Sequence, residues 1–185
     1  MRIFVTADMH LGHDNIIEYC GRPFKDGNDQ NTKLIKFWNE RVKPEDVVYH
    51  VGDFCFWKGR QGTPTVKYTD WEKQLNGKII YIWGNHDKNN GIKAIIEKAI
   101  VSFANKKILM QHYPPVIDQY TPLFFSRIPK DIDFVICGHV HEKWKYQLRS
   151  IPFINVGVDV WNFRPVLLDE VVGFYNKIKN ENKGE

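Results

Sequence analysis

The sequence predicts a mixed α/β fold. Short runs rich in β-branched and aromatic residues alternate with amphipathic stretches of helical period. Five of the apolar runs also stop at an Asp, Asn or His, the rim where open α/β sheets place their sites. The length, 185 residues, suits one domain, expected over 1–180 with a polar, disordered tail over 181–185.

Arg2 to Ala7 reads as the first strand. Thr32 to Val42 predicts a helix with Leu34, Ile35, Trp38 and Val42 on one face, ended by Pro44. Asp46 to Val51 is a second strand. Gly59 to Pro64 reads as a loop and Thr65 to Leu75 as a helix, and Asn76-Gly77 turns the chain into a strand over Lys78 to Trp83. Ile92 to Ile100 has helical spacing. Lys107 to Gln111 and Asp133 to Cys137 are strands, separated by a long proline-punctuated loop, Tyr113 to Lys130. Three further strands follow, near Tyr146 to Leu148, Phe153 to Val156 and Val166 to Leu168. A closing helix over Asp169 to Lys179 carries Val172, Tyr175 and Ile178 on one face.

Hydrophobic residues make up 43% and aromatics 14%, enough for a real core. A net charge of +4 favours an anionic substrate but is too small to argue for nucleic acid, which is possible and not favoured. No apolar run approaches the ~20 residues of a membrane span and no signal-peptide pattern opens the chain, so a cytoplasmic protein without a membrane partner is expected. The oligomeric state is unreadable. Cys20, Cys55 and Cys137 are odd in number and lack a Cys-x-x-Cys, which argues for small buried hydrophobes over a disulfide framework.

The strand ends carry the chemistry: Asp8-Met9-His10, Gly52-Asp53, Gly84-Asn85-His86-Asp87, His112, and Gly138-His139-Val140-His141. Carboxylates, imidazoles and a hard amide oxygen suit divalent Mn, Fe, Zn or Ni. Two such ions about 3.5–4 Å apart clamp the attacking and leaving oxygens of a phosphoryl displacement. In an extended chain, Asp8-x-His10 and His139-x-His141 would each put both side chains on one face. The adjacent glycines allow close backbone approach.

In that order, D-x-H, G-D, G-N-H-D, a lone His and G-H-x-H resemble the calcineurin-like metallophosphoesterases. The opening D-M-H-L-G-H-D-N-I-I and the late N-V-G-V-D-V-W resemble a small bacterial and phage subgroup of that family. The resemblance implies a four-layer fold of two packed mixed β-sheets flanked by helices. It implies phosphoester hydrolysis by a hydroxide formed from water at two divalent ions, with diesters slightly ahead of monoesters. A nuclease or a non-catalytic metal-binding scaffold are the alternatives. The roles it implies are Asp8, His10 and His141 on one ion, Asn85, His112 and His139 on the other, Asp53 bridging, and His86 catalytic.

One departure stands out. Many relatives continue the second motif as G-D-x-x-D, the later Asp orienting the catalytic His; here Phe56 holds that position, and Asp87 is the adjacent candidate. Beyond the motifs, His13 and Arg60 are candidate substrate contacts. His50 is expected in the core, while Arg22, Lys58 and Arg164 read as solvated basic residues. Phe54, Trp83 and Trp161 read as packing, and Asp159 as a turn residue or a support behind a ligand.

Overall fold

A computed structural model describes residues 1–56, 66–87, 91–92, 96–114 and 127–182. In chain order these form β1 (Ile3–Thr6), α1 (Ile16–Tyr19), α2 (Gly27–Arg41), β2 (Val47–Val51), α3 (Tyr68–Glu72), β3 (Lys78–Ile82), β4 (Ala99–Phe103), β5 (Lys106–Met110), β6 (Phe134–Cys137), β7 (Tyr146–Leu148), β8 (Pro152–Asn155), β9 (Val166–Leu167) and α4 (Leu168–Glu181). One sheet runs β3-β2-β1-β9, parallel except for β9; the other runs β4-β5-β6-β8-β7, with a parallel centre and antiparallel edges. Two mixed sheets flanked by helices are what the resemblance implied.

Period-two alternation sorts the side chains. Val5, Val51 and Ile82 of the first sheet meet Ile108, Met110, Phe134, Ile136 and Ile154 of the second in one core, which Val171, Val172 and Tyr175 of α4 complete. The opposite face of the first sheet, with Phe4, Val48 and Tyr81, packs on Leu34 and Trp38 of α2. The outer face of the second sheet buries Leu109, Val135, Cys137 and Phe153 with Ile132. Each fully buried aliphatic or aromatic side chain contributes about 1.5–3 kcal/mol.

Backbone hydrogen bonds also join the two sheets close to the site. Ala7, just past β1, donates to Val156 O at 3.0 Å and accepts from Val158 N at 3.1 Å, so the end of β1 is stitched to the end of β8. The chain ends of both sheets therefore open onto a common rim.

Several boundaries move. The helix expected from Thr32 starts at Gly27, because the Asp26 side chain caps it by accepting Asp29 N. The helix expected over Thr65 to Leu75 is the shorter α3, and residue 65 lies outside the described residues. The helix expected over Ile92 to Ile100 is not there: Ile96 bridges to Ile82, and Ala99–Phe103 is strand β4. Residues 93–95 lie outside the described residues. The reason is non-local. Ala104 and Asn105, at φ 48° and 56°, make a tight turn that folds β4 back onto β5, and cross-strand pairing overrides the helical spacing. The short helix α1 was not foreseen. Of the tail expected over 181–185, Glu181 is helical and Asn182 caps the helix, and residues 183–185 lie outside the described residues. The loops read over Gly59 to Pro64 and, for 115–126, over Tyr113 to Lys130 lie outside the described residues. No helix among the described residues is long and apolar enough to cross a membrane.

Candidate metal centre

The D-M-H loop is zipped to the G-D loop. Asp8 N donates to Gly52 O at 3.0 Å and His10 N to Asp53 O at 3.1 Å. Asp8, His10, Asp53, His139 and His141 all have left-handed backbone, with φ of 57°, 50°, 58°, 72° and 49°. The two x-spaced pairs therefore do not have the extended backbone that their spacing predicts: both members of each pair sit in tight kinks beyond their strands. Asp and His are among the non-glycine types that tolerate this region best. The cost is of order 1–3 kcal/mol per residue, and such strain gathers where a site over-determines the backbone.

The kinks converge. Asp8, His10 and His141 present ligand atoms within 4.8 Å of one another, and so do Asp8, Asp53 and His112. Asp53 Oδ2 lies 3.5 Å from His10 Nε2 and 3.4 Å from His112 Nε2, between the two sets. Asn85 Oδ1 is 3.1 Å from both His112 Nε2 and His139 Nδ1. All seven expected ligands thus meet at one place.

The donor set fits divalent cations. Both ring nitrogens of His10, which is 1% exposed, have no hydrogen-bond partner. His112 Nδ1 is 2.9 Å from Val51 O and must donate to it, so a neutral His112 turns a lone pair toward Asn85 Oδ1 and Asp53 Oδ2. Acceptors facing acceptors are what a cation satisfies. Close packing leaves the ligands little freedom: a Cβ on Gly84 would fall 2.3 Å from Asp53 Oδ1, and one on Gly138 2.8 Å from Asp8 Oδ2.

Electrostatics follow from burial and crowding. Burial works against the charge of Asp53, but His112, His10 and His86 hold its carboxyl well below the usual range. Burial, helped by His141, Arg22 and His86, drives His10 well down against the pull of Asp53, and burial with His112 takes His139 to about 4. Burial opposes the charged form of His112 too, yet Asp53 and Asp8 raise it to about 9.

His86 stands at the rim. Its backbone N donates to Asp53 Oδ1 at 2.9 Å, its Nε2 is 3.9 Å from Asp53 Oδ2, and its side chain is 40% exposed. Phe56 and His10 flank the ring, at centroid distances of 5.0 and 5.3 Å. His13 stacks on Phe56 at 4.1 Å, beside the centre. Asp87 turns away from His86. Its carboxylate accepts from Asp53 N, Phe54 N and Gly84 N, so it clips two motif loops together. Arg60 and Lys58 lie outside the described residues. His50 is buried, edge-on to Phe54 at 5.1 Å, and burial lowers it to about 3. Arg164 is largely solvated, reaching Glu40 at 3.5 Å.

Two supports went unread in the sequence. Asn155 donates to His141 O and Trp144 O while accepting from Gly157 N, which pins the G-H-x-H loop to β8. Arg22, expected in solvent, is only 4% exposed, because Asp8 O, Met9 O, Gln30 and Asp159 surround its guanidinium with acceptors. No local pattern around G-R-P-F signals this.

The calcineurin-like phosphoesterase superfamily domain matches residues 1–163. The chain belongs to that family. An uncharacterized protein of Methanocaldococcus jannaschii is 35% identical over 185 residues, covering 96% of this chain and 93% of that one. The gene 66 protein of Mycobacterium phage D29 is 25% identical over 200 residues, covering 96% of this chain and 97% of that protein. Among solved structures, a protein of unknown function from Aquifex aeolicus superposes with a TM-score of 0.71 at 27% identity, covering 94% of this chain and 98% of that one. The family implies divalent metal ions and a phosphate-ester substrate, and the converging Asp and His side chains are groups suited to hold such ions.

Proposed function

We propose that the chain hydrolyses phosphate esters at a centre for two divalent ions. Asp8, His10 and His141 would hold one ion, Asn85, His112 and His139 the other, and Asp53 would serve both. One observation carries this reading: Asp53 Oδ2 sits between His10 Nε2 at 3.5 Å and His112 Nε2 at 3.4 Å, flanked by the remaining ligands. When bound, the ions supply Lewis acidity toward phosphoryl oxygens and acidify a water.

The chain's own groups do the rest. His86 reaches the rim on a backbone anchored to Asp53, which would put it beside a phosphate bound at the centre. It neutralises charge on the phosphoryl oxygens or gives a proton to the leaving oxygen. His13, stacked on Phe56, lines the mouth and contacts the part of the substrate beyond the phosphate. Arg60 is the second candidate contact. Mn, Fe, Zn and Ni all suit the nitrogen and oxygen donors. Diesters are placed ahead of monoesters on family analogy alone.

The test is a panel of phosphomonoesters, phosphodiesters, cyclic nucleotides and dinucleotides, each assayed with Mn, Fe, Zn, Ni and Mg. Turnover of one class that disappears on chelation and returns with metal supports the proposal. A chain that binds metal yet turns over none of them sinks it.

A further inference from the structure

We infer that Arg22 and Asp159 are positioning residues that assemble one of the two ion sites, the Asp8, His10 and His141 group, in preference to the other. The inference rests on the two-ion reading above.

Three observations converge. First, Arg22 Nη2 donates to Asp8 O at 2.7 Å and Nη1 to Met9 O at 3.1 Å. Those carbonyls belong to the loop whose Asp8 and His10 are left-handed, so the guanidinium holds the turn that aims both ligands. Second, Arg22 Nε and the same Nη2 grip the two oxygens of Asp159 at 2.8 and 2.9 Å, a bidentate pair with both side chains at or below 3% exposure. Third, Asp159 Oδ2 faces His141 Nδ1 at 3.5 Å. That contact is longer than a formed hydrogen bond, but it fixes which ring nitrogen has the carboxylate behind it. A carboxylate behind an imidazole orients the ring and leaves its other nitrogen for a cation.

A single guanidinium therefore holds the backbone of Asp8 and of Met9, which leads into His10, and through one carboxylate stands behind His141. Its own hydrogen bonds reach none of Asn85, His112 and His139: His112 is held by Val51 O, Asn85 Oδ1 lies between the two rings, and His139 N donates to the Asp8 carboxylate at 3.0 and 3.1 Å. Gln30 of α2 takes the remaining direction at 3.1 Å from Nη1. Only the planar fork of an arginine serves so many acceptors; a lysine has one nitrogen to share. A plain structural ion pair would stabilise the fold without distinguishing the two ion sites, and this difference makes the idea testable.

The test titrates Mn(II) into the unaltered chain, Asp159→Asn and Arg22→Lys by calorimetry, with elemental analysis of dialysed samples and a thermal melt of each. The unaltered chain should take up two ions. Asp159→Asn should keep one at unchanged affinity and bind the other roughly 10–100-fold more weakly, and Arg22→Lys should weaken the same one. Two ions at unchanged affinity in a cooperatively melting Asp159→Asn chain, or equal weakening of both, overturns the inference while the two-ion reading stands. Fewer than two ions in the unaltered chain removes the reading beneath it. If Asp159→Asn does not fold, Arg22→Lys decides. If neither folds, the pair merely holds the fold and the inference fails.

Discussion

The Asp87 carboxylate accepts the backbone N–H of Asp53 at 2.8 Å, and through its other oxygen that of Phe54 at 3.0 Å. It also accepts Gly84 N at 2.9 Å, so a single side chain closes the gap between the second and third motifs. In Asp87→Asn one oxygen becomes an amide donor facing buried donors. A buried group left unsatisfied costs about 1–3 kcal/mol. We expect a loss of that size in urea unfolding at pH 8, together with weaker ion binding, because Asp53 is anchored by the same bonds. Unchanged stability would mean that the clip is dispensable.

Two glycines should respond in opposite directions to alanine. At Gly84 a Cβ would meet Asp53 N at 2.4 Å, and a backbone atom has nowhere cheap to go. Gly84→Ala should lose roughly 1–3 kcal/mol to overpacking and displace Asp53 from the centre. At Gly173, within α4, a Cβ would meet nothing within 4 Å. Gly173→Ala should gain about 0.8–1 kcal/mol from helix propensity. Thermal denaturation of both variants checks the contrast.

Far from the centre, Asp46 predicts a pH dependence of stability. It accepts Arg2 N, Lys43 N and the Arg2 guanidinium, tying the start of β1 to the entry of β2. The Arg2 hydrogen bond holds the Asp46 carboxyl well below the usual range. A depressed folded pKa stabilises above the unfolded value, about 3.9, and that contribution disappears as pH falls through the folded one. Asp46→Asn should therefore melt at lower temperature at pH 7, and the gap to the unaltered chain should narrow below pH ~4. A gap that widens on acidification would reverse the assignment.

His86 is the one proposed catalytic residue outside the ligand set. Replacing it with Ala should reduce turnover of the best substrate about 10²–10⁴-fold and leave metal content intact, since its side chain is 40% exposed at the rim. Undiminished turnover rejects the role.

The sequence alone determined the types and the order of the proposed ligands. Asp8, His10, Asp53, Asn85, His112, His139 and His141 stand where apolar runs stop, and strand topology gathered those stops on one rim. It also showed the core, because Val5, Ile108, Phe134 and Ile154 sit in runs only a buried strand explains. What it could not show are choices made by partners distant in the chain. Arg22 and Asp159 meet across 137 positions, so no local pattern distinguishes this arginine from a solvated one. The left-handed kinks at the ligands, the direction of Asp87 and the conversion of Ala99–Phe103 into a strand belong with it. Each is set by where a second segment docks, and a hydrogen-bond acceptor or a neighbouring strand brought there by the whole fold outweighs the few tenths of a kcal/mol that local propensity supplies.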